Sequence, residues 1–463
     1  NENVNNREIL FPRGKGLGGS SSINGHLYVR GQPEDYNQWA QLGNTGWGYD
    51  DILPYFKKSE FKENGDGKYR GKNGPLFVSD IVEKHPLCEE FIESSKEIGV
   101  SIQEDYNAGN QEGIFYYQRT IKNGTRFSAY DAFLKPAIKR KNVKVTTNTI
   151  VLKIIFKEKK AIGLLCEKNK KQFKIFANKE IILCAGAIGT PHLLQVSGIG
   201  HSNYLKNIGI QIIHENKNVG EGLQDHYAVR VSNSINLPIT LNEKARGYKL
   251  FLEIIKWFVL KKGLISYSPA HVGAFLKSSP EIDLPDLQFV FTPASYTEGM
   301  IGKLQNIPGI TCGVWQSRPQ SRGYVRALSS HIKDAPLIQP NYLKETIDQD
   351  VLIQGVKICR DLLKTSKMKK ISIKETLPGE NIKTDSEILN FIKNNGATVY
   401  HAIGSCRMGI DKDAVVDANL KLNGVENLRV ADASIMPTMP SGNTNAATLM
   451  IAEKASDLIK KDM

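Results

Sequence analysis

The run Ile181-Ile182-Leu183-Cys184-Ala185-Gly186-Ala187 constrains this chain more than any other stretch of it. It is apolar, too short for a helix, and ends in glycine just before a helical pattern that runs from Thr190 to Ser197. A buried strand that turns into a helix through glycine is the repeating unit of α/β architecture. Just upstream, KVTTNTIVLKIIF, AIGLLCEK and FKIFANKE read as strands, with period-2 alternation or continuous apolar runs. The tail returns to the same character: Leu428 to Asp432 is a short strand, and Asn445 to Ile459 is a strongly periodic helix. The C-terminus therefore completes a unit begun far earlier in the chain.

Between these pieces the pattern differs. Residues 37–130 are dominated by the turn clusters NTGWGYDD, ENGDGKYRGKNG and YNAGNQEG, around short helical stretches. Residues 226–409 carry strands at Leu287–Phe291 and Gly323–Leu328, and helices at Leu250–Leu260 and Asp348–Thr365. With 463 residues, 40% of them hydrophobic, the chain has more apolar material than one core needs. The expected organisation is an α/β domain from residues 1–36, 126–225 and 410–463. A loop-rich region, 37–125, joins it to a second domain of antiparallel sheet and helices, 226–409.

Several function classes are excluded. The net charge is +13, but lysines are scattered and no stripe interleaves them with aromatics, so nucleic acid is not an expected partner. Six cysteines stand far apart without a C-x-x-C pair, and no His or carboxylate cluster has metal-ligand spacing. That excludes a structural metal and fits a reducing compartment, the cytoplasm. No apolar run reaches the ~20 residues of a membrane span. The G-x-S-x-G elbow of serine hydrolases is absent. Residues 249–262 are apolar with a basic end; they read as a helix packed on the second domain's sheet. The alternative is a helix lying at a membrane surface, which would place the protein peripherally at the inner membrane. The first residue is Asn1, so a targeting signal cannot be assessed.

Gly14-Lys15-Gly16-Leu17-Gly18-Gly19 satisfies G-x-G-x-x-G. Pro12 interrupts its approach, however, and Ser20-Ser21-Ser22-Ile23-Asn24-Gly25 follows instead of a long helix, so it is not a dinucleotide fingerprint. Two readings stay open: a surface turn, or a backbone closely approaching a flat or phosphorylated cofactor. Likewise, His401 taken alone suits a core histidine as well as a base. Asn443, just ahead of a helix, suits a simple N-cap.

PRGKGLGGSSSINGHLYVRG (12–31) and GAIGTPHLLQVSGIG (186–200) together resemble the two signatures of the glucose-methanol-choline flavoenzymes. NVGEGLQDH, QSRPQSRGYVRA, DAPLIQPNYL, YHAIGSCRMG and ADASIMPTMPSGNTNAATLMIAEKASDLI also resemble segments of that family, so the likeness covers nearly the whole chain. It implies a Rossmann-like, three-layer FAD-binding domain and a substrate domain. It also implies oxidation of a primary alcohol, closest to bacterial alcohol and choline dehydrogenases. His401, in Y-H-x-x-G, would take the hydroxyl proton. Asn443, where relatives carry His or Asn, would hydrogen-bond the substrate oxygen, and flavin N5 would accept the hydride. Carried over position by position, Ser20, Asn24, Gly25, His26 and Tyr28 would contact the flavin side of FAD. Val151 would lie by the adenine, and Asp432, Ala433, Thr444 and Asn445 along the ribityl chain and ring. His26 departs from the family pattern. Members with covalent flavin carry His where this chain has Ile23, so FAD should be non-covalent. Electrons would pass to quinone or another acceptor, with O₂ as the alternative. Two further readings stay open: a flavin-containing hydroxynitrile lyase, and an inactive fragment. Relatives begin with a βαβ unit for the ADP half of FAD. The resemblance implies that about seventy to eighty such residues are lacking ahead of Asn1.

Overall fold

A computed structural model describes residues 1–297 and 302–463 of the chain. Its apolar residues gather into two principal cores. The first is assembled from distant pieces: Tyr28, Trp39 and Trp47 near the N-terminus, Leu183 and Leu194 in the middle, and Met436, Met450 and Ile451 at the end. Strand Ile181–Leu183 pairs in parallel with Leu428–Val430, and helix Gly186–Val196 follows directly. The helix begins sooner than the pattern from Thr190 implies, because Gly186, at φ 79°, makes the turn itself. A three-stranded antiparallel sheet, Thr149–Lys157, Lys160–Lys168 and Lys171–Phe176, covers the same core. The C-terminal helix Thr444–Lys461 packs on helix Tyr49–Ser59.

The second core lies on a seven-stranded sheet. Its central order is Tyr227–Ile235, Gly309–Gln316, Leu287–Thr292, Val272–Leu276 and Gly113–Tyr116, each pair antiparallel. Helix Thr346–Leu363 buries Val351, Leu352, Val356 and Cys359 against it. The α/β reading with a separate antiparallel sheet therefore holds. Parallel pairing is sparse, though: among the described residues it joins Ile181–Leu183 to Leu428–Val430 and two other short pairs.

The short helical stretches expected around the turn clusters of residues 37–130 are helices at Pro33–Gln41, Tyr49–Ser59 and Pro86–Ser95. The start signals were present: proline at the first helical position in two of them, and a capping box from Gln32 and Asp35 in the first. One expectation needs correction: the helix at Gly247–Leu260 does form, but it does not pack into the sheet; none of its residues is buried. All six cysteines are free, and no described helix is long and apolar enough to cross a membrane.

Candidate active site

His401 and Asn443, 42 positions apart in sequence, meet where the two cores join. Each is held by its own scaffold. The segment leading to His401 pairs Ala397–Thr398 with the start of strand Tyr227–Ile235. Asp225, just ahead of that strand, accepts the His401 backbone N–H at 2.6 Å. The Tyr342 and Thr398 hydroxyls donate to its other oxygen. This carboxylate therefore fixes the backbone on both sides of Tyr400, whose φ of 68° is unusual for a non-glycine residue. Burial pushes the Asp225 carboxyl up to about 6, against the three hydrogen bonds that favour its anion.

Asn443 sits on a loop pinned by Asp35. That carboxylate accepts the Ser441 N–H at 2.6 Å and the Ser441 hydroxyl at 2.8 Å. The first signature segment packs directly beneath: a Cβ on Gly442, at φ 152°, would lie 2.3 Å from Val29 Cγ1. Glycine is required there because nothing larger fits above the Val29 side chain. Asn443 then occupies the N-cap position of the C-terminal helix, yet its side chain makes no cap hydrogen bond. Its amide is turned toward the histidine instead.

The polar contacts form one directed chain. At one end the buried His226 places Nε2 at 2.8 Å from the Ser317 carbonyl. A carbonyl only accepts, so His226 Nε2 carries the proton and, in the neutral ring, Nδ1 does not. His226 Nδ1 lies 2.8 Å from His401 Nδ1, so His401 Nδ1–H is the donor. His401 Nε2 is then a bare lone pair, facing Asn443 Nδ2 at 3.1 Å. The other end gives the same answer. Tyr117 donates its hydroxyl to the Phe289 carbonyl at 2.9 Å. The Gln288 amide donates to the Tyr117 oxygen at 2.9 Å and to Asn443 Oδ1 at 3.1 Å. Asn443 Nδ2 is left to point at His401. Two carbonyls, one at each end, fix every donor and acceptor between them.

Electrostatics keeps both rings neutral. Burial holds His226 down at about 4. Burial, then the neighbouring His226 and Arg13, hold His401 well below the usual histidine range. A neutral imidazole with an unprotonated Nε2 beside an amide donor can accept a proton from a hydroxyl placed between them.

The strand register explains how the chain is assembled. Trp315 lies opposite both Ala228 and Gln288, which brings His226, Ser317 and Gln288 to the same end of the sheet. Tyr117 reaches that end by laying its ring across Gly273, where a Cβ would come within 2.4 Å of the ring.

The remaining expected site residues are placed as follows. Thr444 and Asn445 form the first turn of the C-terminal helix, which has no side-chain cap and no acidic residue at its start. Asp432 accepts from Ser434 N–H at 2.8 Å, Gly186 N–H at 2.9 Å and the Thr190 hydroxyl at 2.6 Å. It thereby ties the strand-to-helix corner to the C-terminal segment, and the Ala433 carbonyl accepts from Gly404 N–H at 3.4 Å, near His401. In the glycine loop, Ser20 Oγ accepts from Gly14 N–H at 3.1 Å. Asn24 Oδ1 accepts from Arg126 at 2.7 Å and from the His26 N–H at 3.2 Å. Gly25 lies against Pro269, and the buried Tyr28 hydroxyl accepts from Arg30 Nε at 3.3 Å. His26 has a φ of 66° and a buried Nδ1 with no partner among the described residues. Burial, with Arg126 and Arg119, holds it near 4. Val151 is half-buried on its strand opposite Cys166. None of Ser20, Asn24, His26, Tyr28 and Val151 hydrogen-bonds to His401 or Asn443. Asp225, His226, Gln288 and Tyr117 escaped the sequence reading, although the first two stand in the NVGEGLQDH segment.

Comparison with known proteins gives a consistent result. The N-terminal family model for GMC oxidoreductase matches residues 2–228, and the C-terminal one matches residues 319–452. An alcohol dehydrogenase [acceptor] of Pseudomonas putida is 39% identical, over 100% of this chain and 85% of its own length. The mitochondrial choline dehydrogenase of Homo sapiens is 38% identical, over 99% of this chain and 77% of its own. Those matches run over 99% or more of this chain. Among solved structures, pyridoxine 4-oxidase from Mesorbium loti superposes with a TM-score of 0.89 at 28% identity. That match covers 99% of this chain and 86% of the other.

Proposed function

This chain belongs to the GMC oxidoreductase family, and we propose that it oxidises a primary alcohol to an aldehyde with FAD as a non-covalent cofactor. The observation that carries the reading is the bare His401 Nε2, fixed 3.1 Å from the Asn443 amide at the mouth of an uncapped helix. FAD, when bound, supplies the acceptor for the hydride of the alcohol's α-carbon. The residues present fit that group, because the helix start offers unengaged N–H groups and the positive end of its dipole to an anion. In this reading the FAD-binding domain comprises residues 1–36, 126–225 and 410–463, and the substrate domain residues 226–409. Ser20, Asn24, Gly25, His26, Tyr28, Val151, Asp432, Ala433, Thr444 and Asn445 line the cofactor.

The protein's own steps are few. The alcohol hydroxyl enters between His401 Nε2 and Asn443 Nδ2, donating to the first and accepting from the second. His401 takes the proton, and the Asn443 amide stabilises charge gathering on the oxygen. His226 receives the hydrogen bond of His401 Nδ1–H, so the imidazole keeps its orientation as it charges. The test is anaerobic mixing of the FAD-loaded enzyme with a primary alcohol. Loss of the oxidised-flavin absorbance is expected, whereas a lyase would leave it unchanged.

Two further outcomes follow from named side chains. Ile23 has no nucleophilic atom and is exposed, so acid precipitation should release all flavin to the supernatant. Colour retained in the pellet would contradict this. The acceptor should be a quinone or another organic oxidant in preference to O₂. One-electron reduction of O₂ produces an anion, which a nearby cation favours. Asn443 is neutral at every pH, and burial holds His226 down at about 4. Among these three side chains only His401, after taking the alcohol's proton, could supply that charge, and burial favours release of that proton. Anaerobic turnover with a quinone analogue or phenazine dye should thus greatly exceed H₂O₂ production under air. Equal rates would make this an oxidase.

A further inference from the structure

Helix Gly247–Leu260 carries its polarity the wrong way round for a helix on a water-facing surface. Tyr248, Phe251, Leu252, Ile255, Phe258 and Val259 all exceed one-third exposure. Their spacing of three and four residues puts them on one outward stripe. The groups that tie the helix to the body are polar. Lys256 Nζ pairs with Glu83 at 2.8 Å, and Trp257 Nε1 donates to the Gly124 carbonyl at 2.8 Å. Glu253 accepts the Leu264 N–H at 2.7 Å, and Glu83 accepts the Gly263 N–H at 2.6 Å. Both carboxylates are therefore turned inward and engaged. Cations remain at the rim: Lys249 and Lys262 are exposed, and Lys261 Nζ lies 3.9 Å from the Trp257 ring centroid. Val82 and Ile265, next in sequence to Glu83 and Leu264, are exposed as well.

We propose that this face docks on an anionic lipid bilayer, with the helix lying in the interface and its apolar stripe among the acyl chains. An apolar face that size rimmed by lysine is the design of an interfacial helix. The occupant is a bilayer and not a second copy of the chain. Self-association would oppose like-charged rims on a protein of net charge +13, whereas an anionic surface complements them. The inference does not depend on the substrate or the electron acceptor, although a lipid-soluble acceptor would be met on this surface.

The test is co-sedimentation of the FAD-loaded enzyme with phosphatidylcholine vesicles, with and without phosphatidylglycerol. Binding is expected with phosphatidylglycerol and should weaken about fivefold for each of Lys249 and Lys262 changed to Gln. Phe251→Ser with Phe258→Ser should abolish it while dye-coupled alcohol turnover in solution stays unchanged. Equal sedimentation of parent and serine variant would overturn the proposal, as would failure of the parent to bind. So would a lipid-free dimer that the serine variant dissociates, since the face would then belong to a second copy.

Discussion

His401→Ala should lower kcat by about 10² or more, the usual cost of removing a positioned general base, with FAD content near that of the parent enzyme. The cofactor contacts proposed above lie elsewhere, so a variant that loses flavin and activity together would point to a structural role. The pH profile offers an independent check. Base catalysis needs the neutral ring, and burial together with His226 and Arg13 depresses the His401 pKa. A depressed pKa leaves the ring unprotonated as pH falls through the usual histidine value of about 6.5. The acid limb of kcat/KM should therefore lie below that value in the parent and disappear in the Ala variant. Activity surviving within a few-fold would remove His401 from the mechanism.

Much of this architecture is legible in the sequence, where the signal is local. The helix read at Asn445–Ile459 runs from Thr444 to Lys461, and the one read at Asp348–Thr365 from Thr346 to Leu363. The strands read at Leu287–Phe291 and Leu428–Asp432 are present within a residue or two at each end. Periodicity and terminating residues suffice for such elements. The hydrogen-bond chain was not legible, because it depends on register. Only the pairing of Ala228 and Gln288 with Trp315 brings His226 and Gln288 to one edge. Nothing in the flanking sequence announces that pairing. Asn443 shows the same limit in reverse: its place before a helix is readable, but not that its amide leaves the helix to face His401. The helix Gly247–Leu260 is subtler. An apolar stripe looks identical in sequence whether it meets a core or the solvent, and only the inward Glu253 and Lys256 contacts give its direction.

The second large effect should come from a residue that never touches substrate. His226 is the acceptor that keeps the His401 proton on Nδ1, because its own Nε2–H is committed to the Ser317 carbonyl. In His226→Ala, His401 Nδ1–H loses that partner inside a buried site, and the tautomer protonated at Nε2 becomes competitive. That tautomer cannot accept the substrate proton. Orienting partners of catalytic groups typically contribute ten- to a hundredfold to activity, so a kcat loss of about that size is expected, with a smaller change in KM. A packing defect alone could also slow the enzyme, and two readouts separate the cases. His226 is the second-largest cause of the depressed His401 pKa, after burial. Its removal, which also lets water approach, should therefore move the acid limb of kcat/KM to higher pH. His226→Gln keeps one acceptor and one donor on a side chain of similar reach, so it should recover part of the lost kcat. If Ala and Gln lose activity equally, in step with thermal stability and with the acid limb unmoved, His226 only fills space and the tautomer argument fails.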